Sequence, residues 1–231
     1  MQIKKAMILA AGFGRRMLPL TETIPKPLIK IGPKNLLERS IELLIKIGVK
    51  EIVLNIYYLS DEIEKFIKSK NYSIQISLIK EEKLLDTGGG IFNATKKFND
   101  DPFFVLNPDT IWNKNYYEEL KVLENLYFTR ERPVLLLVDK KKSYDKSFKG
   151  DFSFINNQLI TREKKNNFIF TGAQIINRSI FNEVDKNVFS MNLIWDQLIQ
   201  KKILLGQKSN QTFFHVNNLK VFQGLEKLKF I

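Results

Sequence analysis

Up to about residue 138, short apolar runs alternate with stretches of helical periodicity, and this alternation restricts the fold more than any other feature of the chain. Runs at residues 3–9, 51–56, 74–79, 103–107 and 134–138 read as strands. Between them, Leu37, Ile41 and Leu44 step by four and three onto one face of a helix that runs into Gly48, a C-terminal stop. Ser60-Asp61-Glu62 offers a cap and two carboxylates at the start of the next helix, where the macrodipole favours negative charge. A third helix is expected to begin in Gly88-Gly89-Gly90 and a fourth to cover residues 116–127. Strand and helix repeated in this order require right-handed crossovers. The expected class is therefore α/β, a mostly parallel Rossmann-like sheet with helices on both faces.

After residue 138 the texture changes. Residues 150–155, 158–161 and 168–176 read as shorter strands, the first two joined by the tight-turn pair Asn156-Asn157. A helix over 192–202 carrying Leu193, Leu198 and Ile199, a strand over 212–216 and a closing helix over 218–229 complete the pattern. With no repeat, low-complexity tract or linker, the expected organisation is one domain over residues 1–231. Its core is residues 1–138, and 139–231 form a smaller α+β elaboration.

Composition removes whole classes of chemistry. With no Cys, disulfides, thiolate catalysis and Cys-ligated zinc are excluded, and a single His excludes any site built on paired imidazoles. The apolar run at residues 6–11 is too short for a membrane span, so a cytoplasmic protein without a membrane partner is expected. The net charge is 37 − 25 = +12, but the lysines are scattered in pairs and one triplet. They read as a solvated surface rather than a nucleic-acid footprint.

The first strand runs into Leu9-Ala10-Ala11-Gly12-Phe13-Gly14-Arg15-Arg16-Met17, followed by Pro19, Thr21 and Pro25-Lys26-Pro27. Open parallel sheets bind ligands beyond the carboxyl ends of their strands, and this loop leaves the first of them. Its glycines let backbone N–H groups close on phosphate oxygens, and Arg16 and Lys26 add two cations. A dinucleotide loop needs a third glycine where Met17 stands, and a Walker loop is absent. As a bare G-x-G the segment is equally a tight strand-to-helix turn. Asp109 follows the apolar run 103–106 and should emerge at the same sheet edge. A carboxylate there suits a hard divalent cation bridging phosphates, or a cap on the turn before Trp112.

Taken whole, the string L-A-A-G-x-G-x-R-M-x-P-x-T-x-x-x-P-K-P resembles the signature of the sugar-1-phosphate nucleotidyltransferases. Asp86-Thr87-Gly88-Gly89-Gly90-Ile91 resembles the E-T-G-G-G-I segment of the N-acetylmuramate 1-phosphate uridylyltransferases, and residues 103–112, FFVLNPDTIW, resemble their V-x-N-G-D-x-W strand. Phe170-Thr171-Gly172-Ala173 and Phe214-His215-Val216-Asn217 fall where such enzymes have a sugar-facing strand and a D-V-G-T turn.

The resemblance implies transfer of a nucleotidyl group from an NTP, UTP foremost, to a sugar 1-phosphate with release of pyrophosphate. The implied sugar is N-acetylmuramate 1-phosphate or a related hexose 1-phosphate, in peptidoglycan recycling. It also implies roles. Leu9, Ala10, Ala11, Gly12 and Gly14 face the nucleotide, and Gly88 and Gly89 lie against the uracil. Arg16 and Lys26 hold the triphosphate and, with Asp109, carry the catalysis; Asp109 binds Mg²⁺. Asn107, Asp151, Thr171 and Gly172 are assigned to the sugar. No general base is required, because the attacking phosphate oxygen is already ionised. If Asp109 serves only a metal, Asp109→Asn should cost rate and leave the melting temperature nearly unchanged.

The pattern breaks at three points. His215 stands where the family has its second metal carboxylate, Asn217-Asn218 replaces Gly-Thr, and Pro108 replaces the glycine before Asp109. Imidazole is a poor ligand for Mg²⁺. Three readings follow: His215 touches a phosphate, the metal rests on Asp109, nucleotide and water, or catalysis is lost and a nucleotide-sugar sensor remains. The sequence carries no signal for oligomeric state.

Overall fold

The structure is a computed structural model, and it describes residues 1–228. In chain order its regular elements are β1 (Lys5–Leu9), β2 (Lys30–Ile31), β3 (Lys34–Asn35), α1 (Leu36–Ile47), β4 (Glu51–Ile56), α2 (Ser60–Lys68), β5 (Gln75–Lys80), α3 (Asp86–Ala94), β6 (Phe103–Leu106), α4 (Tyr116–Arg130), β7 (Val134–Asp139), β8 (Ser153–Phe154), β9 (Ile160–Thr161), β10 (Phe168–Ile176), α5 (Met191–Gln200), β11 (Leu205–Ser209) and α6 (Leu219–Glu226). Seven strands form one sheet in the order β11-β7-β10-β6-β1-β4-β5. β1 pairs in parallel with β4 and β6, β4 with β5, and β11 with β7. Only β10 runs against its neighbours, β6 and β7. The class is α/β with a mostly parallel sheet, as expected.

Alternate residues of the central strands face two cores, as the period of two requires. Ala6 and Ile8 of β1 pack with Leu37, Ile41 and Leu44 of α1 and Leu120 and Leu123 of α4. Met7, from the other face, packs with Ile91 of α3 and Ile194 and Leu198 of α5. Both faces are thus covered by helices, and β1 is held inside the sheet between β6 and β4, with its C-terminal end leading into the loop. A third cluster joins the loop to the end of the described chain: Met17, Ile29 and Leu36 pack with Ile111, Val216, Phe222 and Leu225.

Several expectations need correction. The helix carrying the three glycines starts at Asp86, two residues before Gly88. Helix α2 begins at Ser60 itself, with Leu59 as its cap residue at φ 49°, so Ser60 is not the cap. The hairpin about Asn156 and Asn157 has only two-residue strands, β8 and β9. Residues 212–216 form no strand; Phe213 and His215 make single bridges to Ser143 and Thr110. The strand that joins the sheet is β11, which the sequence reading missed. Of the closing helix expected over 218–229, residues 219–226 are helical after an Asn218 cap, and Lys229 lies outside the described residues. Among the described residues no helix is long and apolar enough to cross a membrane.

Candidate active site

The loop after β1 is shaped by Gly14, whose φ of +65° is open to glycine and strained for other residues. A Cβ there would stand 2.9 Å from Thr21 Cγ2 and 3.0 Å from Lys26 Cβ. The missing side chain therefore lets the Lys26 segment close on the loop. The Thr21 hydroxyl donates to the Gly14 carbonyl at 3.0 Å, and the Tyr58 hydroxyl to the Thr21 carbonyl at 2.7 Å. Gly12 has open space instead: nothing lies within 4 Å of where its Cβ would be.

This loop forms one wall of a cavity of about 400 Å³, within the range that small-molecule sites occupy. Leu9, Ala10, Ala11, Gly12, Gly14, Arg16 and Lys26 line it from the loop, and Asn107, Pro108 and Asp109 from beyond β6. Asn55, Glu81, Leu84, Asp86 and Thr87 close the far side. The remaining candidates do not line it. Gly88 and Gly89 are buried in the first turn of α3, where a Cβ on Gly88 would stand 2.4 Å from the Phe189 ring. Thr171 is fully buried with its hydroxyl donating to the Leu136 carbonyl, and Asp151 accepts from the Phe170 N–H at 2.9 Å. Gly172, at φ +91°, lies against the Asn107 side chain and its carbonyl accepts from the Asn107 N–H.

The polar centre is the ion pair of Lys26 Nζ with Asp109 Oδ2, at 2.5 Å with side chains 14% and 20% exposed. Burial acts to raise the Asp109 carboxyl, but His215 in its protonated form and the Lys26 ammonium outweigh it and hold the group down at about 2. His215 Nε2 lies 3.5 Å from the same Oδ2. The imidazole is stacked on Phe213 with centroids 5.5 Å apart, and Phe148 meets it edge-on at 5.8 Å. Burial, with help from Lys26 and Arg16, lowers its pKa against the pull of Asp109, so the ring is neutral at pH 7. The replacements for Gly-Thr have local partners: the Asn217 amide donates to Asp145 at 2.8 Å, and Asn218 Oδ1 caps α6 by accepting from the Val221 N–H at 3.0 Å.

Asp109 Oδ1 is shut off from solvent and has no hydrogen-bond partner among the described residues. A buried carboxylate oxygen left bare fits a group that meets a cation with the ligand, so Asp109 suits the divalent metal implied by the resemblance. The other carboxylate oxygen, Oδ2, has the Lys26 ammonium at 2.5 Å and His215 Nε2 at 3.5 Å, a nitrogen where magnesium chemistry calls for oxygen.

Two buried polar residues at this cavity escaped the sequence reading. Asn55 Oδ1 accepts from the Ala10 N–H at 3.0 Å while its amide donates to Glu81 Oε1 at 2.8 Å. Glu81 Oε2 in turn accepts from the Leu85 N–H at 3.1 Å. The network ties the end of β1 to β4 and to the entrance of α3. The available signal was Asn55 itself, a polar residue interrupting the apolar run of β4.

A family model described as Nucleotidyl transferase matches residues 5–146. Over 121 residues the chain is 40% identical to the mannose-1-phosphate guanylyltransferase catalytic subunit beta of Xenopus tropicalis, covering 51% of this chain and 34% of that protein. The chain spans about a third of the length of the curated guanylyltransferase relatives of this group. It is 28% identical over 225 residues to an N-acetylmuramate alpha-1-phosphate uridylyltransferase of Caulobacter vibrioides, covering 93% of this chain and 92% of that one. Among solved structures, a UDP-glucose pyrophosphorylase from Acinetobacter baumanii superposes with a TM-score of 0.81 at 15% identity, covering 97% of this chain and 92% of that chain. At that identity the likeness speaks for the fold alone.

Proposed function

The chain belongs to the nucleotidyl transferase family, and from that premise we propose that it couples an NTP to a sugar 1-phosphate and releases pyrophosphate. The observation that carries this reading is the convergence of Arg16, Lys26 and Asp109 on one cavity whose loop wall is bare backbone at Gly12. An oxygen of the sugar phosphate forms a bond to the α-phosphorus as the bond from that phosphorus to the bridging oxygen breaks, and the electron pair leaves with pyrophosphate. Negative charge gathers on the α-phosphate oxygens along the way. Lys26 and Arg16 are the fixed cations available to oppose it, and a partly buried site makes them count for more than they would in water. The nucleophile is ionised at pH 7, so a neutral His215 is no obstacle.

A divalent cation, Mg²⁺ by the resemblance, would be held through Asp109 and supplies charge neutralisation across the phosphates. Lys26 now pairs with Asp109 and is the ammonium poised to turn to the triphosphate. UTP is the proposed nucleotide and N-acetylmuramate 1-phosphate or a related hexose 1-phosphate the proposed acceptor, because the uridylyltransferase relative aligns with nearly the whole of this chain. The guanylyltransferase relatives align with about half of it and make GTP the competing donor. Pyrophosphate release measured for each NTP against a panel of sugar 1-phosphates tests the proposal. Turnover with UTP is expected. Nucleotide-sugar binding without pyrophosphate from any pair would leave a sensor instead.

A further inference from the structure

We propose that Arg15 is a further phosphate-binding residue, whose guanidinium moves from a rest on the Phe13 ring onto the two outer phosphates of the nucleotide, those released as pyrophosphate. This role rests on the nucleotide reading of the cavity and gives a task to a residue at a variable position of the loop signature. Arg15 lines the cavity beside Arg16 and Lys26. The loop leaves β1 between two neighbours: β6, which leads to Asp109, and β4, which leads to Tyr57 and Tyr58. The two arginines divide between these sides. The Arg16 charge is felt at His215, which stands 3.5 Å from Asp109. Arg15 lies instead over Phe13, 5.0 Å from the ring centroid.

Phe13 is itself supported from the β4 side. Its ring meets Tyr57 edge-on at 5.8 Å and Tyr58 at 5.3 Å, and the Tyr58 hydroxyl donates to the Thr21 carbonyl. Two other arginines lie over aromatic rings, but hydrogen bonds pin them there. Arg162, over Phe152 and Trp195, is held by Asp196 and Asn192; Arg178, over Phe92, is held by the Phe92 carbonyl and the Thr95 hydroxyl. Among the described residues the Arg15 guanidinium has no carboxylate and no hydrogen-bond acceptor, so its donors are available to a ligand. An exposed cation–π contact is weak, whereas guanidinium meets phosphate through two parallel charge-assisted hydrogen bonds. An arriving phosphate therefore draws the side chain off the ring. The reacting phosphorus belongs at the mostly buried Lys26–Asp109 pair, and the phosphates that must leave lie toward solvent, where Arg15 is exposed.

Calorimetric titration of wild type, Arg15→Ala and Arg15→Lys with UTP, GTP, UMP, GMP and pyrophosphate, each with Mg²⁺ and no sugar phosphate, tests this directly. In Arg15→Ala the affinity for the triphosphate that wild type binds, and for pyrophosphate, should fall about tenfold. The matching monophosphate should bind as before, and Arg15→Lys should recover part of the loss. In steady-state kinetics the KM for NTP should rise in Arg15→Ala with that for the sugar 1-phosphate unchanged. Thermal melts of the free proteins should coincide, because the side chain is exposed and makes no hydrogen bond among the described residues. Equal loss for mono- and triphosphate, or no loss for triphosphate or pyrophosphate, overturns the role of Arg15 and leaves the transferase reading standing. Pyrophosphate bound through Arg15 with no nucleotide bound supports the grip and removes that reading instead. Wild type that binds none of the five ligands overturns both.

Discussion

Two glycines of one loop have opposite reasons to be glycine. Gly14 sits at φ +65° against Thr21 and Lys26, so Gly14→Ala should cost about 1–3 kcal/mol of stability in a thermal melt. Gly12 has open space at its Cβ, so Gly12→Ala should leave the melt unchanged and weaken NTP binding several-fold in calorimetry. Asp109 requires a change to the expectation from sequence. Its pairing with Lys26 means that Asp109→Asn strands an ammonium in a mostly buried place, which should cost roughly 2–4 kcal/mol as well as orders of magnitude in turnover. The folded carboxyl titrates at about 2, below its unfolded value, so its contribution is complete above the unfolded value and fades as pH falls toward 2. The gap in melting temperature between wild type and Asp109→Asn should therefore be full at pH 7 and narrow through this acid range. Arg16, Lys26 and Asp109 were legible because the motif places them beside strand ends; the Lys26–Asp109 contact was not, because 83 residues separate the partners.

The loop depends on an element far from it in sequence. Helix α6 packs Phe222 and Leu225 against Met17, Ile29 and Leu36, and the same cluster takes Ile111 and Val216 from the segments carrying Asp109 and His215. Leu225→Ala should cost about 2–4 kcal/mol and should also raise the KM for NTP. An equally large truncation in the opposite core, Leu198→Ala, should destabilise without that effect on KM. Helix α1 was legible through its apolar spacing, α4 and α5 by their place in the strand–helix order, and five strands through their apolar runs. β11 was not. Its sequence LGQKS has one bulky apolar residue, and Gly206 is there because a Cβ would meet Ile160 at 2.6 Å and Leu137 at 2.9 Å. Close packing over an edge strand leaves no periodic trace. Residues 212–216 do alternate, yet they bridge separately to Ser143 and Thr110 and so position His215 instead of extending the sheet.

At the scale of the whole molecule, one sheet draws strands from both halves of the chain, and β10 lies between β6 and β7. The class and the open edge that gathers the site followed from strand–helix alternation, whereas the antiparallel insertion of β10 depends on tertiary packing that no local pattern encodes. The net charge of +12 is distributed, with lysines such as Lys5, Lys70 and Lys201 paired to carboxylates. Duplex DNA binding at physiological salt is accordingly expected to be undetectable by anisotropy, since a scattered charge releases few counterions at any one footprint. What unites the scales is a cavity arranged so that a phosphate attacks the α-phosphorus of a bound triphosphate. Following radiolabel from UTP or GTP marked at either the α- or the γ-phosphorus, with a sugar 1-phosphate present, tests that claim most directly. The account predicts α-label in a nucleotide sugar and γ-label in pyrophosphate, both lost in Lys26→Ala; label released as inorganic phosphate, or retained in unreacted nucleotide by folded protein with every acceptor, would contradict it.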